Sequence, residues 1–218
     1  MIKRLATAGL LGALLGLAAA LVQIRAGAGA DQIRNGPWIT NLAQGSASAP
    51  ALTRARVALG GLLALPRAEA MYFVADTDSD NRPLDGRCRY RVEGGALDAG
   101  WWSITLYQGA GWLVPNDANR WSVPGHAPAR QSGGRWAFEV GPGPEPVSTL
   151  IPKTSGDHTS PGLTPARGAR VDEAAVWLPT GGVPSFDLTL RAYLPQGALR
   201  DQPAAVTLPT IRRLACGS

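Results

Sequence analysis

The stretch WWSITLYQGAGWLVPNDANRW, residues 101–121, holds four of the seven tryptophans in the chain. Trp102, Ile104 and Leu106 alternate with Ser103, Thr105 and Tyr107, the period of a strand with one buried and one wet face. Gln108 to Gly111 supplies a glycine turn, Trp112 to Val114 a second short strand, and Asn116 to Asn119 a polar corner. A strand, a turn, a strand and a corner within one short stretch set the period for the rest of the chain.

The same period recurs on both sides. Met71, Phe73 and Ala75 alternate with Tyr72 and Val74, and Cys88, Tyr90 and Val92 with Arg87, Arg89, Arg91 and Glu93. Trp136, Phe138 and Val140 alternate with Arg135, Ala137 and Glu139. Near the end, Phe186, Leu188, Leu190 and Ala192 point one way while Asp187, Thr189, Arg191 and Tyr193 point the other. With short pieces at Trp112 to Val114, Trp121 to Val123 and Ala174 to Leu178, the pattern predicts about eight strands. Gly and Pro turns separate them, without alternating helices, so the expectation is a mainly β fold, an antiparallel β-sandwich or jelly roll. Between 141 and 170 the pattern lapses. Those residues include six prolines and five glycines, the composition of a functional flap or a disordered insertion.

Helices are expected only towards the N-terminus. Leu5 to Ile24 carries no charge over twenty residues, long enough to cross a hydrocarbon core of roughly 30 Å. Lys3 and Arg4 precede it and Arg25 follows, which places the N-terminus in the cytoplasm and exports the remainder. Ala28-Gly29-Ala30 also suits a signal-peptidase site, but the apolar run is longer than a usual secretory core. The domain reading is therefore an anchor at 1–26, a Gly/Ala/Ser linker at 27–48, and a β-sandwich domain at 49–218 with an insertion at 141–170. One short amphipathic helix is expected where Leu52, Ala55, Leu59 and Leu62 recur before Pro66. The localisation follows as a single-pass protein of a bacterial inner membrane, lipid-bound through its N-terminal helix, with the C-terminal domain in the periplasm.

The net charge of +5 does not imply nucleic-acid binding. Lys3, Arg4 and Arg25 flank the apolar run, leaving eighteen basic against sixteen acidic residues in the exported part, close to neutral. There is no basic run to meet a phosphate backbone. Cys88 and Cys216 form an even pair, read in an oxidising compartment as a disulfide tying a central strand to the C-terminus; two separate thiols are the alternative.

Chemical motifs are few. His126 and His158 fall in no HExxH, HxH or CxxC pattern, and no GxSxG elbow or phosphate loop occurs. Asp76, Asp78 and Asp80 resemble the start of a calcium loop. The twelfth position, however, is Arg87, and a polar turn explains the same residues. Asn116, Arg120, Arg191 and Tyr193 are candidates for holding a carboxylate or sugar hydroxyl. Their structural alternative is a corner shaped by Asn116 and arginines paired with carboxylates.

Taken in order, Trp102 to Tyr107, Trp112 to Asn116, Asn119 to Ser122, Trp177 to Pro179 and Phe186 to Tyr193 resemble the domain of unknown function 1214. Upstream, Asn35 to Trp38, Arg54-Ala55 and Glu69 to Phe73 resemble its short, membrane-anchored members. The resemblance covers most of residues 35 to 194. It implies a β-sandwich or jelly-roll domain and no established activity. Two departures stand out: family members often carry a second, preceding domain for which 218 residues leave no space, and the link at 141–170 is longer than usual.

The functional expectation is a non-catalytic, membrane-anchored periplasmic module without a cofactor. It would bind a membrane or periplasmic protein, as an accessory subunit of a membrane complex. The alternative is a periplasmic domain that binds, and in one version hydrolyses, a small molecule or glycan.

Overall fold

The structure, a computed structural model, describes residues 2–25, 32–59, 64–109, 111–130, 132–143 and 176–217. In chain order the first elements are α1 (Ile2–Arg25), β1 (Gln32–Asn35), β2 (Trp38–Asn41), α2 (Ala51–Leu59) and β3 (Ala70–Ala75). Then come β4 (Cys88–Gly94), β5 (Ala99–Gln108), β6 (Trp112–Leu113), β7 (Ser122–Pro124), β8 (Ala129–Arg130) and β9 (Trp136–Gly141). The last are β10 (Trp177–Pro179), β11 (Asp187–Pro195), α3 (Gly197–Asp201) and β12 (Thr210–Cys216).

The strands form two sheets. One has the order β1-β2-β3-β11-β5, with β6 and β7 following one another along the far edge of β5. The other has the order β10-β9-β4-β12, with β8 also on β9. Alternation dictates the register of the first sheet: Leu190 lies opposite Phe73 on one side and Ile104 on the other, and Ala192 lies between Met71 and Trp102. A one-residue slip would turn all of these outward. Burial bears out the inward faces read from the sequence, with Leu188, Leu190, Ala192, Ile104, Tyr90, Val92 and Val140 fully buried.

The two sheets share one apolar core. Trp102 of β5 packs on Trp136 of β9 with ring centroids 4.4 Å apart, and Tyr90 of β4 meets Phe186 edge-on at 5.7 Å. Two glycines make room for the indoles: a Cβ at Gly125 would come within 2.8 Å of Trp102, and one at Gly94 within 2.7 Å of Trp136. Burying a large apolar side chain is worth about 1.5–3 kcal/mol, so this seam holds the sheets together.

Several expectations need correction. Twelve strands occur among the described residues, because β1, β2, β8 and β12 are short or polar on the outside and lack a clear alternation. The pairing is not wholly antiparallel, since β10 runs parallel to β9. The segment expected as a linker, 27–48, carries β1 and β2: Trp38 is 1% exposed and donates its indole N–H to Pro209 O at 2.7 Å. Asn35 likewise donates to Pro203 O and Val206 O. The first sheet therefore takes in β1 and β2. A helix does form at Ala51–Leu59, but its buried residue is Thr53 while Leu59 of the expected apolar face is exposed, and Leu62 lies outside the described residues. From residue 144 the expected insertion at 141–170 lies outside the described residues, as does His158.

The sulfurs of Cys88 and Cys216 stand at disulfide distance, 1.98 Å, and the two residues face each other across β4 and β12. α1 includes an apolar run, Ala6–Ile24, of which none is buried.

Candidate functional site

Pairing across the first sheet places the polar face of β11 against the polar face of β5. Asp187 lies opposite Tyr107, Thr189 opposite Thr105, Arg191 opposite Ser103, and Tyr193 opposite Trp101. Thr189, Thr105, Ser103 and Tyr72 of β3 are all buried or nearly so on this outer face, which is thus more enclosed than an ordinary wet surface. Arg191 donates from Nη2 to Tyr107 Oη at 2.8 Å and sets its guanidinium over the same ring at 5.3 Å. The ring quadrupole and the hydroxyl hold one cation in place. Tyr193 packs on Trp101 with centroids 5.3 Å apart.

Asp187 shares this face. Burial pushes its carboxyl up to about 6, and the nearby Asp76 carboxylate adds to the effect; the Thr189 hydroxyl and Arg191 act in the other direction. A carboxyl that exchanges its proton near neutrality, beside an ordered arginine and a phenol, can accept or donate a hydrogen bond to a polar ligand. Sequence reading singled out Arg191 and Tyr193 but not Asp187 or Tyr107. The signal was present in the alternation, which puts Asp187, Arg191 and Tyr193 on one face; what was invisible was the pairing that brings Tyr107 to them.

The raised value predicts a measurable pH dependence. The folded carboxyl stays protonated to about pH 6 while its ordinary value is 3.8. The stability it contributes is therefore fully present below about pH 3.8 and is lost as pH rises through 6. Relative to wild type, Asp187→Asn is expected to gain about 2 kcal/mol of stability across that window, allowing for the solvent that still reaches the group. Melting curves of both proteins from pH 4 to pH 7 check it; parallel curves refute it.

The other candidates form structural contacts. Asn116 accepts from the Arg120 N–H at 3.0 Å and donates to Val114 O and Arg120 O at 3.1 Å, closing the corner between β6 and β7. Asn119 sits at φ 49° in that corner, a left-handed conformation that asparagine tolerates well. Arg120 donates from Nη1 to Trp177 O of β10 at 3.1 Å, tying the corner to the second sheet. The structure thus brings Arg191 to Tyr107 and Asn116 to Arg120, the second pair in a role of support.

The calcium candidate resolves into an ion-pair network. Asp78 is fully buried. Its Oδ1 accepts from the Asp80 and Arg82 N–H groups at 3.0 and 2.9 Å; Oδ2 accepts from Arg82 Nε at 3.0 Å and faces Arg213 Nε of β12 at 3.2 Å. Asp80 in turn pairs with Arg82 at 2.6 Å. Asp78 and Asp80 are thus met by arginines, and among the described residues no three metal-type ligands gather. An open cleft of about 510 Å³ lies elsewhere, between residues 42–48 and 66–68, with Arg67 on its wall.

Residues 69–160 match the model of a protein family of unknown function, DUF1214. No curated protein matches the chain. Among solved structures, the chain is similar to the VPA0106 protein from Vibrio parahaemolyticus, 23% identical over 77% of this chain and 36% of that one, with a TM-score of 0.51. That likeness is one of fold. A further match is an uncharacterised protein from Burkholderia cenocepacia, 14% identical over 67% of this chain and 29% of the other, with a TM-score of 0.38. The chain spans about a third of the length of the solved structures it matches.

Proposed function

We propose that this chain, whose residues 69–160 match the DUF1214 family model, is a membrane-anchored, periplasmic β-sandwich module that recognises another protein without catalysis. It would serve as an accessory part of a complex in a bacterial inner membrane. Two sheets on one core support the sandwich reading. An apolar N-terminal helix supports the anchor, and cysteines at disulfide distance suit an oxidising compartment.

The observation that carries the recognition reading is the edge of the first sheet. There β6 presents Trp112, 73% exposed, beside Leu113, 45% exposed. An indole standing in solvent at a sheet edge is costly to leave bare, and tryptophan is the residue that most often anchors protein interfaces. A photoreactive amino acid at position 112 in native membranes is expected to give one discrete adduct above the monomer, lost on Leu113→Glu. Recovery of the monomer alone would refute the reading.

A second reading, binding of a small polar ligand on the outer face, is favoured by Asp187 beside Arg191 and Tyr107. Its mark is a carboxylate or sugar compound that raises the melting temperature of wild type but not of Arg191→Met.

A further inference from the structure

Short and easily overlooked, α2 sits at the mouth of the apolar helix. Arg56 donates from Nη2 to Gln23 O at 2.6 Å and from Nε to Ile24 O at 3.2 Å. The last carbonyls of a helix have no intrahelical donor, and inside a bilayer they need one from elsewhere in the protein. Arg56 provides it, and its positive charge also complements the helix dipole. If α1 crosses the membrane, this contact fixes α2 at the level where the span ends.

The surface of α2 is unusual for a helix of a globular domain. Thr53 is its one buried residue, while Arg54 and Leu59 are exposed, Leu59 by 68%. Leu65 follows at 37% exposed. The helix has no acidic residue, so neither core burial nor intrahelical ion pairs explain its composition.

Charge is partitioned in the same direction. From Ala26 to Arg67 there are four arginines and one aspartate, whereas from Ala68 to the end there are fourteen basic and fifteen acidic residues. The positive charge of the exported part is therefore concentrated next to the anchor. The cleft beside the start of α2, walled by Arg67 and the 42–48 turn, opens in this basic region.

We infer that α2 and the adjoining cleft form a docking surface for acidic phospholipid headgroups: Arg54 and Arg67 contact the phosphates, and Leu59 and Leu65 dip below them. Basic residues at an anionic surface and apolar residues at the acyl boundary are the two attractions that hold interfacial helices. Arg67 also feels Asp201, so Arg54 carries the larger share. The inference rests on the anchor reading, and its test keeps the two apart.

The full chain is reconstituted in vesicles of phosphatidylcholine alone or with phosphatidylglycerol, and hydrogen exchange is followed over residues 51–59. About tenfold slower exchange is expected in the anionic vesicles, falling to the phosphatidylcholine rate in Arg54→Glu/Arg67→Glu, which leaves the Arg56 contacts in place. Equal exchange in both vesicles overturns the docking surface while leaving the anchor standing, provided the chain floats with both vesicles and resists carbonate extraction. Failure to float with pure phosphatidylcholine overturns both. Equal protection by inorganic phosphate without vesicles assigns the site to free anions and also overturns the proposal.

Discussion

Asp78→Ala is expected to lower the folding stability by about 3 kcal/mol, in the presence or absence of calcium. The carboxylate is fully buried and satisfies two backbone N–H groups of its own turn through Oδ1. Through Oδ2 it meets Arg82 and Arg213. Removing it leaves donors without an acceptor and leaves the buried Nε of Arg213 facing nothing. Breaking a buried ion pair from one side typically costs 3–5 kcal/mol. The lower end applies because the Arg82 side chain is about half exposed and can return to water, while that of Arg213 is 21% exposed. The same turn is stitched to β12 by Ser79 N–H to Ile211 O at 2.8 Å and by Ile211 N–H to Ser79 Oγ at 2.9 Å. Asp78 thus helps hold a loop of the first sheet against the edge strand of the second. Denaturant melts of the variant measure the loss. A calcium-dependent melting temperature in wild type that vanishes in the variant would restore the metal reading instead.

The difference between a calcium loop and an arginine network illustrates what the sequence could reveal. Asp76, Asp78 and Asp80 show alternate carboxylates, and Arg82 is close enough in sequence to suggest a local pair. Arg213 lies more than 130 residues away, and only the pairing of β12 with β4 brings it there. The interior was legible because burial imposes a period of two: Leu188, Leu190 and Ala192 had to share a face whatever their partners. The edges were less so. β1 and β2 look like linker because they are short strands around a Gly36-Pro37 turn and their anchoring, Asn35 to the Pro203 and Val206 carbonyls and Trp38 to Pro209, is entirely long-range. On the outer face, Arg191 and Tyr193 were legible from alternation. The raised carboxyl of Asp187 was not, since it depends on burial by neighbouring strands and on the proximity of Asp76.

Loss of the bond between Cys88 and Cys216 is the other large effect expected. The two cysteines close a loop with a sequence separation of 128, for which the chain-entropy model gives about 5 kcal/mol and measured values run from about 2 to 5. β12 lies at the edge of its sheet, joined on one side to β4, with an irregularity between Arg213 and Ala215; without the bond its last turn of pairing is free to fray. Reduction is expected to lower the melting temperature by roughly 10 °C, taking about 3 kcal/mol and the usual scaling for a domain of this size. Alkylation without reductant should modify neither cysteine, and two modified thiols would falsify the premise. The two large effects should not add. Asp78 holds Arg213, three residues before Cys216, so both interactions restrain the same strand. In the reduced protein β12 has already loosened and Asp78→Ala has less to release, so its cost should fall below the oxidised value by at least 0.5 kcal/mol, the coupling expected between sites that share a partner. Equal costs in the oxidised and reduced proteins would mean that the arginine network holds β12 in place without the disulfide.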